Sequence, residues 1–368
     1  MSDQSYMARA LQLAEEGLYS TSPNPRVGCV LVKDGQIIGE GFHQQAGQGH
    51  AEVEALASLD NPELATGATV YVTLEPCSHT GKTPPCCDAL IKAGVSRVVI
   101  GMQDPNPLVA GQGFARLQAA GIEVVTGVLE TEAWALNPGF IKRMTHGLPY
   151  VRVKMAASLD GKTAMQSGES RWITGPAARA DVQKWRARSC AVVTGYGTVL
   201  ADQPSMNVRD EALLQSLRGR QPLRVVVDSS FQSSPQTPLF SMPGASLVIG
   251  CDDSTEGHTR LESAGIECAV VPRFRDKADL FEVLGLLADR GCNEVLVEAG
   301  PTLAGAFIDA GLVDELVIYQ APVLLGHEAR PMFSLFDRLT MADKTPLKIV
   351  EMRKVGDDLR LRAELTKE

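Results

Sequence analysis

Periodicity makes the first ~145 residues alternate in the order α-β-β-α-β-α-β-α-β-α, which suits one sheet sandwiched between helices. Met7, Leu11, Ala14 and Leu18 share one face of a helix over Tyr6–Gly17. "VGCVLV" and "IIGEGF" read as strands meeting at Asp34-Gly35, a pair suited to a tight hairpin. "HAEVEALASL" is a helix, "TVYVTL" a buried strand, "CDALIKAG" a helix ending on Gly94, and "RVVIGM" the next strand. A helix over Gly113–Ala120 precedes the strand "IEVVTG", and a last helix is expected from Glu130 to Met144.

At "HGLPYVRVKMAAS" a Gly-Pro break restarts the pattern, so residues 1–146 and 147–368 are expected to form two domains. The second alternates again, with strands near 151–157, 190–195, 223–228, 246–250, 267–271 and 294–298. "ELVIYQAPVLLG" and a C-terminal hairpin turning near Gly356-Asp357 follow, which fits a parallel sheet with an antiparallel edge. "SSFQSSPQTPLFSMPG" is expected to be a surface loop.

Lys and Arg number 35 against 44 Asp and Glu, and a net charge of −9 repels phosphodiester backbones. The Arg-rich "RADVQKWRAR" is interrupted by Asp181 and reads as one face of a helix, so no nucleic-acid partner is expected. "MSDQSYMARALQLAEEG" has no unbroken apolar run, and nowhere do ~18–20 apolar residues follow one another. A cytoplasmic protein without a membrane partner is therefore expected, with its eight cysteines reduced. Cys29, Cys190 and Cys268 lie in apolar runs and read as small buried hydrophobes.

Cys77 and Cys86 differ, because "TLEPCSHTGKTPPCCDALI" surrounds them with prolines and polar residues. Cys86 would start a helix after Pro84-Pro85, where the helix dipole favours a metal-bound thiolate. His50 opens the helix of "GHAEVEAL", with Glu52 two residues on. One His and two Cys leave the fourth tetrahedral position of zinc open for water, the arrangement of a catalytic site. Such a water ionises near pH 7, and Glu52, not a ligand, would move its proton. H-x-E followed by P-C…C is the signature of zinc nucleobase deaminases, although their usual P-C-x-x-C is longer here. The alternative is a structural site of His50, Cys77, Cys86 and Cys87, which leaves Glu52 without a role. His79 and Cys87 read as loop and helix residues.

With "NPRVGCVLVKDGQIIGEGFHQQAGQGHAEVEAL" and "QDPNP", these motifs closely resemble the bifunctional riboflavin-biosynthesis deaminase–reductase family over nearly the whole chain, and the long spacing between the cysteines is normal there. The resemblance implies a cytidine-deaminase-like α/β/α sandwich in residues 1–146 and a dihydrofolate-reductase-like α/β domain in 147–368. It implies one Zn²⁺ per chain on His50, Cys77 and Cys86, NADPH as second cofactor, and a phosphorylated pyrimidine substrate. That substrate is 2,5-diamino-6-ribosylamino-4(3H)-pyrimidinone 5′-phosphate, deaminated and then reduced at its ribose. Glu52 would be the proton carrier, Asn24 and His43 would line the pyrimidine pocket, and Lys82 and Asp104 would suit the ribose phosphate and sugar.

In the second half the resemblance assigns Ala156, Trp172, Thr198, Asp202, Gly300, Pro301, Thr302, Leu303, Ala304, Gly305 and Ala306 to the cofactor. It assigns Lys154, Ser170, Arg186, Met206, Arg209 and Glu298 to the substrate. Unaided, "EAGPTLAGAF" suggests a phosphate site at a helix N-terminus or an ordinary strand-to-helix turn, and no G-x-G-x-x-G follows a strand. Family members also tend to be homo-oligomers. A nucleic-acid base deaminase with an appended binding domain is the rival reading, opposed by the acidic surface.

Overall fold

The computed structural model describes residues 2–80, 84–107 and 109–366, and the chain separates into two compact units, Met1–Leu148 and Pro149–Glu368. Unit one runs α1 (Asp3–Glu16), β1 (Gly28–Lys33), β2 (Gln36–Phe42), α2 (Ala51–Ala57), β3 (Thr69–Leu74), α3 (Cys86–Ala93), β4 (Arg97–Met102), α4 (Gln112–Ala119), β5 (Glu123–Thr126), α5 (Glu130–Leu136) and α6 (Pro138–His146). Its five strands lie in the order β2-β1-β3-β4-β5. β1 pairs antiparallel with β2 and β3, and β3, β4 and β5 are parallel. Asp34 and Gly35 turn the hairpin at φ 51° and 75°, the left-handed pair that matches strand twist.

Each sheet face carries its own core. Cys29, Leu31, Val70, Val72 and Ile100 pack against α2, α3 and α4, while Val30, Tyr71, Val99 and Met102 pack against α1, α5 and α6. Gly41 permits the close seat of α2, since a Cβ there would stand 2.3 Å from the Ala55 nitrogen. The single helix expected over 130–144 is two. Pro138 has no N–H to give, and Asn137 leaves helical geometry at φ −125°, ψ 43°.

Unit two runs β6 (Tyr150–Ser158), β7 (Lys162–Ala164), α7 (Pro176–Arg188), β8 (Ala191–Gly195), α8 (Tyr196–Asp202), α9 (Glu211–Ser216), β9 (Leu223–Val227), α10 (Pro238–Ser241), β10 (Ser246–Gly250), α11 (Glu256–Ser263) and β11 (Glu267–Val270). It continues with β12 (Arg273–Phe274), β13 (Lys277–Ala278), α12 (Leu280–Asp289), β14 (Glu294–Val297), α13 (Pro301–Asp309), β15 (Glu315–Ala321), β16 (Arg330–Pro331), β17 (Leu347–Val355) and β18 (Asp358–Leu365). Nine strands form one sheet in the order β11-β10-β9-β8-β14-β6-β15-β18-β17, parallel up to β15 and antiparallel at β18 and β17. The expected surface loop over 229–244 corrects in part: Phe231 and Leu239 are fully buried, and Phe231 packs edge-on against His258. Cys29 is buried as expected, but Cys190 and Cys268 are only partly so. No helix among the described residues is long and apolar enough to cross a membrane.

Beneath α7 lies an ion network. Arg152 bridges Glu294 and Glu315, Arg362 also reaches Glu315 at 2.5 Å, and Arg360 reaches Asp181 at 2.6 Å. The Trp185 ring has the guanidiniums of Arg152, Arg188, Arg360 and Arg362 within 5.7 Å. Burial pushes the Glu315 carboxyl up, but Arg152 and Arg362 outweigh it and hold it below the usual carboxylate range. Its contribution to stability is therefore present above the unfolded value of about 4.3 and is lost as pH falls through the lower folded value. Glu315→Gln leaves Arg152 under-compensated, so a loss of about 3–5 kcal/mol is expected in urea unfolding at pH 7. The loss should shrink toward pH 4.

Candidate metal centre and cofactor cleft

His50 is the N-cap of α2, held outside the helix at φ −76°, ψ 166°, so its ring projects from the helix start. Its Nδ1 stands 3.5 Å from Cys77 Sγ and 3.3 Å from Cys86 Sγ. Cys77 follows β3, and Cys86 is the first residue of α3, capped by Pro85 at φ −60°. Among the described residues these three form the one group of His, Cys, Asp or Glu with ligand atoms all within 4.8 Å of one another. A tetrahedral zinc with Zn–N of about 2.0–2.1 Å and Zn–S of about 2.3 Å sets N···S near ~3.6 Å, so the trio fits that ion.

Hydrogen bonding from the Cys86 thiol comes first, and with His50 and the Cys86 amide it outweighs burial to bring the Cys77 thiol down to about 4. Cys86, the donor of that bond, is pushed up. A dication held by His50, Cys77 and Cys86 would take the place of the proton between the two sulfurs. Cys87 is buried and donates to the carbonyls of Pro76 and Gly113, which takes it out of a four-ligand site.

Glu52 is 3% exposed, one residue into α2 and hydrogen-bonded with Cys86. Burial first, then the Cys77 charge, pushes its carboxyl up. His43 is buried with its Nδ1 2.9 Å from the Gly49 carbonyl, which can only accept, so Nδ1 carries the proton. Its Nε2 then accepts from Asn24 Nδ2 at 3.1 Å, and its ring meets His50 edge-on at 5.3 Å. Asn24 and His43, expected at the pyrimidine pocket, thus stand as one pair beside the trio.

Glu75 escaped the sequence reading. Its buried carboxylate accepts from the amides of Asp104 at 3.1 Å, Gly111 at 3.0 Å and Gly113 at 2.8 Å. It thereby ties the segment bearing Asp104 to the residue two before Cys77. An acid directly after an apolar strand, next to Pro76, was the available signal. The Asp104 carboxylate accepts from Asn106 N at 2.8 Å. Lys82 lies outside the described residues.

In unit two, strand ends and helix starts line a cleft of about 1730 Å³. The Arg186 guanidinium clasps Glu298 at 2.6 and 3.0 Å, and Lys154 Nζ stands 3.8 Å from the same carboxylate. Burial pushes the Glu298 carboxyl up, but Arg186, Lys154 and Arg209 hold it below the usual range, while burial pulls the Lys154 ammonium down. Arg209 and the buried Met206 also line the cleft. Ser170 Oγ reaches Asp202 at 3.4 Å. Ala156 lines the wall from β6, and Trp172 stands 69% exposed at the cleft with the Arg179 guanidinium 4.5 Å from its ring.

Gly300 is the N-cap of α13, and its amide donates to Thr198 Oγ1 at 3.0 Å. Gly300, Pro301, Thr302, Leu303 and Ala306 line the cleft. Ala304 and Gly305 do not: Ala304 is fully buried, and a Cβ at Gly305 would stand 2.0 Å from the Ser334 carbonyl oxygen. Helical periodicity turns the side-chain positions of these two toward the core.

Residues 1–102 match the family described as the cytidine and deoxycytidylate deaminase zinc-binding region, and residues 149–361 match the RibD C-terminal domain. The riboflavin biosynthesis protein RibD of Escherichia coli is 50% identical over 366 residues, covering 98% of both chains. This chain belongs to the RibD family. The RibD protein of Haemophilus influenzae is 47% identical, covering 97% of this chain and 95% of its own. Acinetobacter baumannii RibD superposes with a TM-score of 0.91 at 47% identity over 99% of both chains. The Thermotoga maritima diaminohydroxyphosphoribosylaminopyrimidine deaminase/5-amino-6-(5-phosphoribosylamino)uracil reductase does so at 0.86 and 35% identity, again over 99% of both. RibD proteins join a zinc deaminase to an NADPH reductase, and the two folds expected from the sequence are those observed.

Proposed function

We propose that unit one hydrolyses 2,5-diamino-6-ribosylamino-4(3H)-pyrimidinone 5′-phosphate to 5-amino-6-(5-phosphoribosylamino)uracil and ammonia. Unit two then reduces the ribose of that product to a ribityl chain. The observation that carries this is the His50, Cys77 and Cys86 trio with buried Glu52 against it. The name of the Thermotoga maritima relative supports the order, because its reductase acts on the deaminated uracil.

Zinc on the trio supplies a water acidic enough to ionise near pH 7. Glu52 takes the proton of the attacking water as the new C–O bond forms at the ring carbon, then returns it to the exocyclic amine, after which the C–N bond breaks and ammonia departs. Asn24 and His43 orient the pyrimidine, and Asp104, fixed through Glu75, meets the ribose side together with Lys82. In unit two NADPH supplies hydride to the opened ribose. Lys154, Arg186, Arg209 and Glu298 sum to a net positive charge of two, which suits a sugar phosphate. Ser170 and Met206 border that pocket, and Ala156, Trp172, Thr198, Asp202 and the start of α13 face the cofactor. Residues 1–146 carry the first activity and 147–368 the second.

The protein works in the cytoplasm, where its zinc-binding thiols stay reduced, and as a homo-oligomer. Edge strand β17 supports the latter, with Ile349 and Met352 each 57% exposed. Sedimentation at micromolar protein is expected to give at least the dimer mass, and a monomer would contradict it. The activity itself is tested by adding the diaminopyrimidine ribotide to zinc-loaded protein and measuring ammonia. No ammonia would end the assignment.

A further inference from the structure

The cleft of unit two extends beyond every residue assigned above, and its far end carries two cations, Arg275 and Lys277, alongside Asp228 and Asp279. Ser229, Ser230 and Gln232, just past β9, line it together with Arg275 and Lys277. β9 adjoins β8 on the side away from β14 and β6. A dinucleotide with its pyrophosphate at the N-terminus of α13 and its nicotinamide toward Lys154 and Glu298 would lay its adenosine over the end of β9.

β12 and β13 pair Arg273 with Ala278 and Phe274 with Lys277, leaving Arg275 and Asp276 as the tip. Ala278 N donates to Ser229 Oγ at 3.0 Å, which pins this hairpin to the end of β9. The Arg275 guanidinium lies 5.5 Å from the Phe274 ring and 5.0 Å from the Phe336 ring, so aromatic faces hold it at the cleft. Among the described residues, the side chains of Arg275 and Lys277 make no hydrogen bond or ion pair. Arg275 also sits at φ 55°, a turn position that favours glycine or asparagine. The carboxylates nearby are occupied: Asp228 accepts from Ser233 N and Oγ at 2.6 and 2.7 Å, and Asp279 accepts from Phe281 N at 2.9 Å. Asp276, at the tip, does not line the cleft.

We propose that Arg275 and Lys277, with the Ser230 hydroxyl, bind the 2′-phosphate of NADPH and select it over NADH. The inference rests on the NADPH reading of the cleft and adds the residues that discriminate. A 2′-phosphate gives both cations charge-assisted partners, and the ribose diol of NADH gives them none.

Calorimetric titration of the full chain with NADPH, NADH, adenosine 2′,5′-bisphosphate and AMP tests it. Wild type is expected to favour each 2′-phosphorylated member of the two pairs. The double variant Arg275→Gln, Lys277→Gln changes only exposed side chains, and should weaken NADPH relative to NADH by about 10–100-fold. Arg275→Lys should restore part of the preference, and rising salt should erode it in wild type. An unchanged NADPH-to-NADH ratio in the double variant overturns the inference, as does a wild type that binds both alike. A wild type that binds neither overturns the cofactor reading itself.

Discussion

Glu52→Gln is expected to slow ammonia release from the diaminopyrimidine ribotide by about 10²–10⁴-fold, with zinc content unchanged. Gln keeps the shape of Glu and can hydrogen-bond, but it cannot hold a mobile proton. Glu52 is not among the three convergent ligand atoms, so the metal should remain when it changes. Its burial at 3% exposure leaves no bulk water to substitute as proton carrier. Steady-state ammonia production and zinc by atomic absorption decide the matter together. A loss of less than about tenfold would remove Glu52 from the proton path. Loss of zinc along with activity would instead make it a support of the ligands.

Cys86→Ser strikes the metal itself. Cys86, at the start of α3, is one of three convergent donors among the described residues, and a hydroxyl binds zinc poorly at neutral pH. Zinc affinity should fall by more than the ~10–100-fold typical of changes behind the ligands, and ammonia release should fall with it. Cys87→Ser is the control, since its sulfur donates to two carbonyls and faces no other ligand. It should keep zinc at about one per chain. Zinc lost from the Cys87 variant would revive a four-ligand structural site. NADPH binding by both variants should match wild type, because the cofactor cleft belongs to the other compact unit.

Features of this molecule were legible wherever short-range chemistry dictates them. Asp34-Gly35 fixes a hairpin, Gly94 ends α3 at φ 72°, and unbroken apolar runs mark β3 and β4. The metal trio was legible for another reason: its residue types have few other uses in that spacing. Contacts between distant residues were not. Glu75 meets amides 29 to 38 residues downstream, and Trp185 gathers arginines from as far as β18, which no local pattern announces. Phe231 and Leu239 looked like loop residues because Ser, Pro and Gln surround them, yet tertiary packing buries both. The break at Asn137-Pro138 was readable, and apolar periodicity across it hid the proline's effect. Ala304 and Gly305 face inward while their neighbours line the cleft, and a contiguous sequence segment does not show which way a helix turns.

The most direct test follows ammonia and NADPH absorbance in one tube after the diaminopyrimidine ribotide is added, for wild type and Glu52→Gln. The account predicts that wild type releases ammonia and oxidises NADPH, that it still releases ammonia when NADPH is omitted, and that the variant does neither at a comparable rate. NADPH oxidation by the variant without ammonia would show that the ribose can be reduced before the ring is deaminated, and would contradict the order proposed for the two sites.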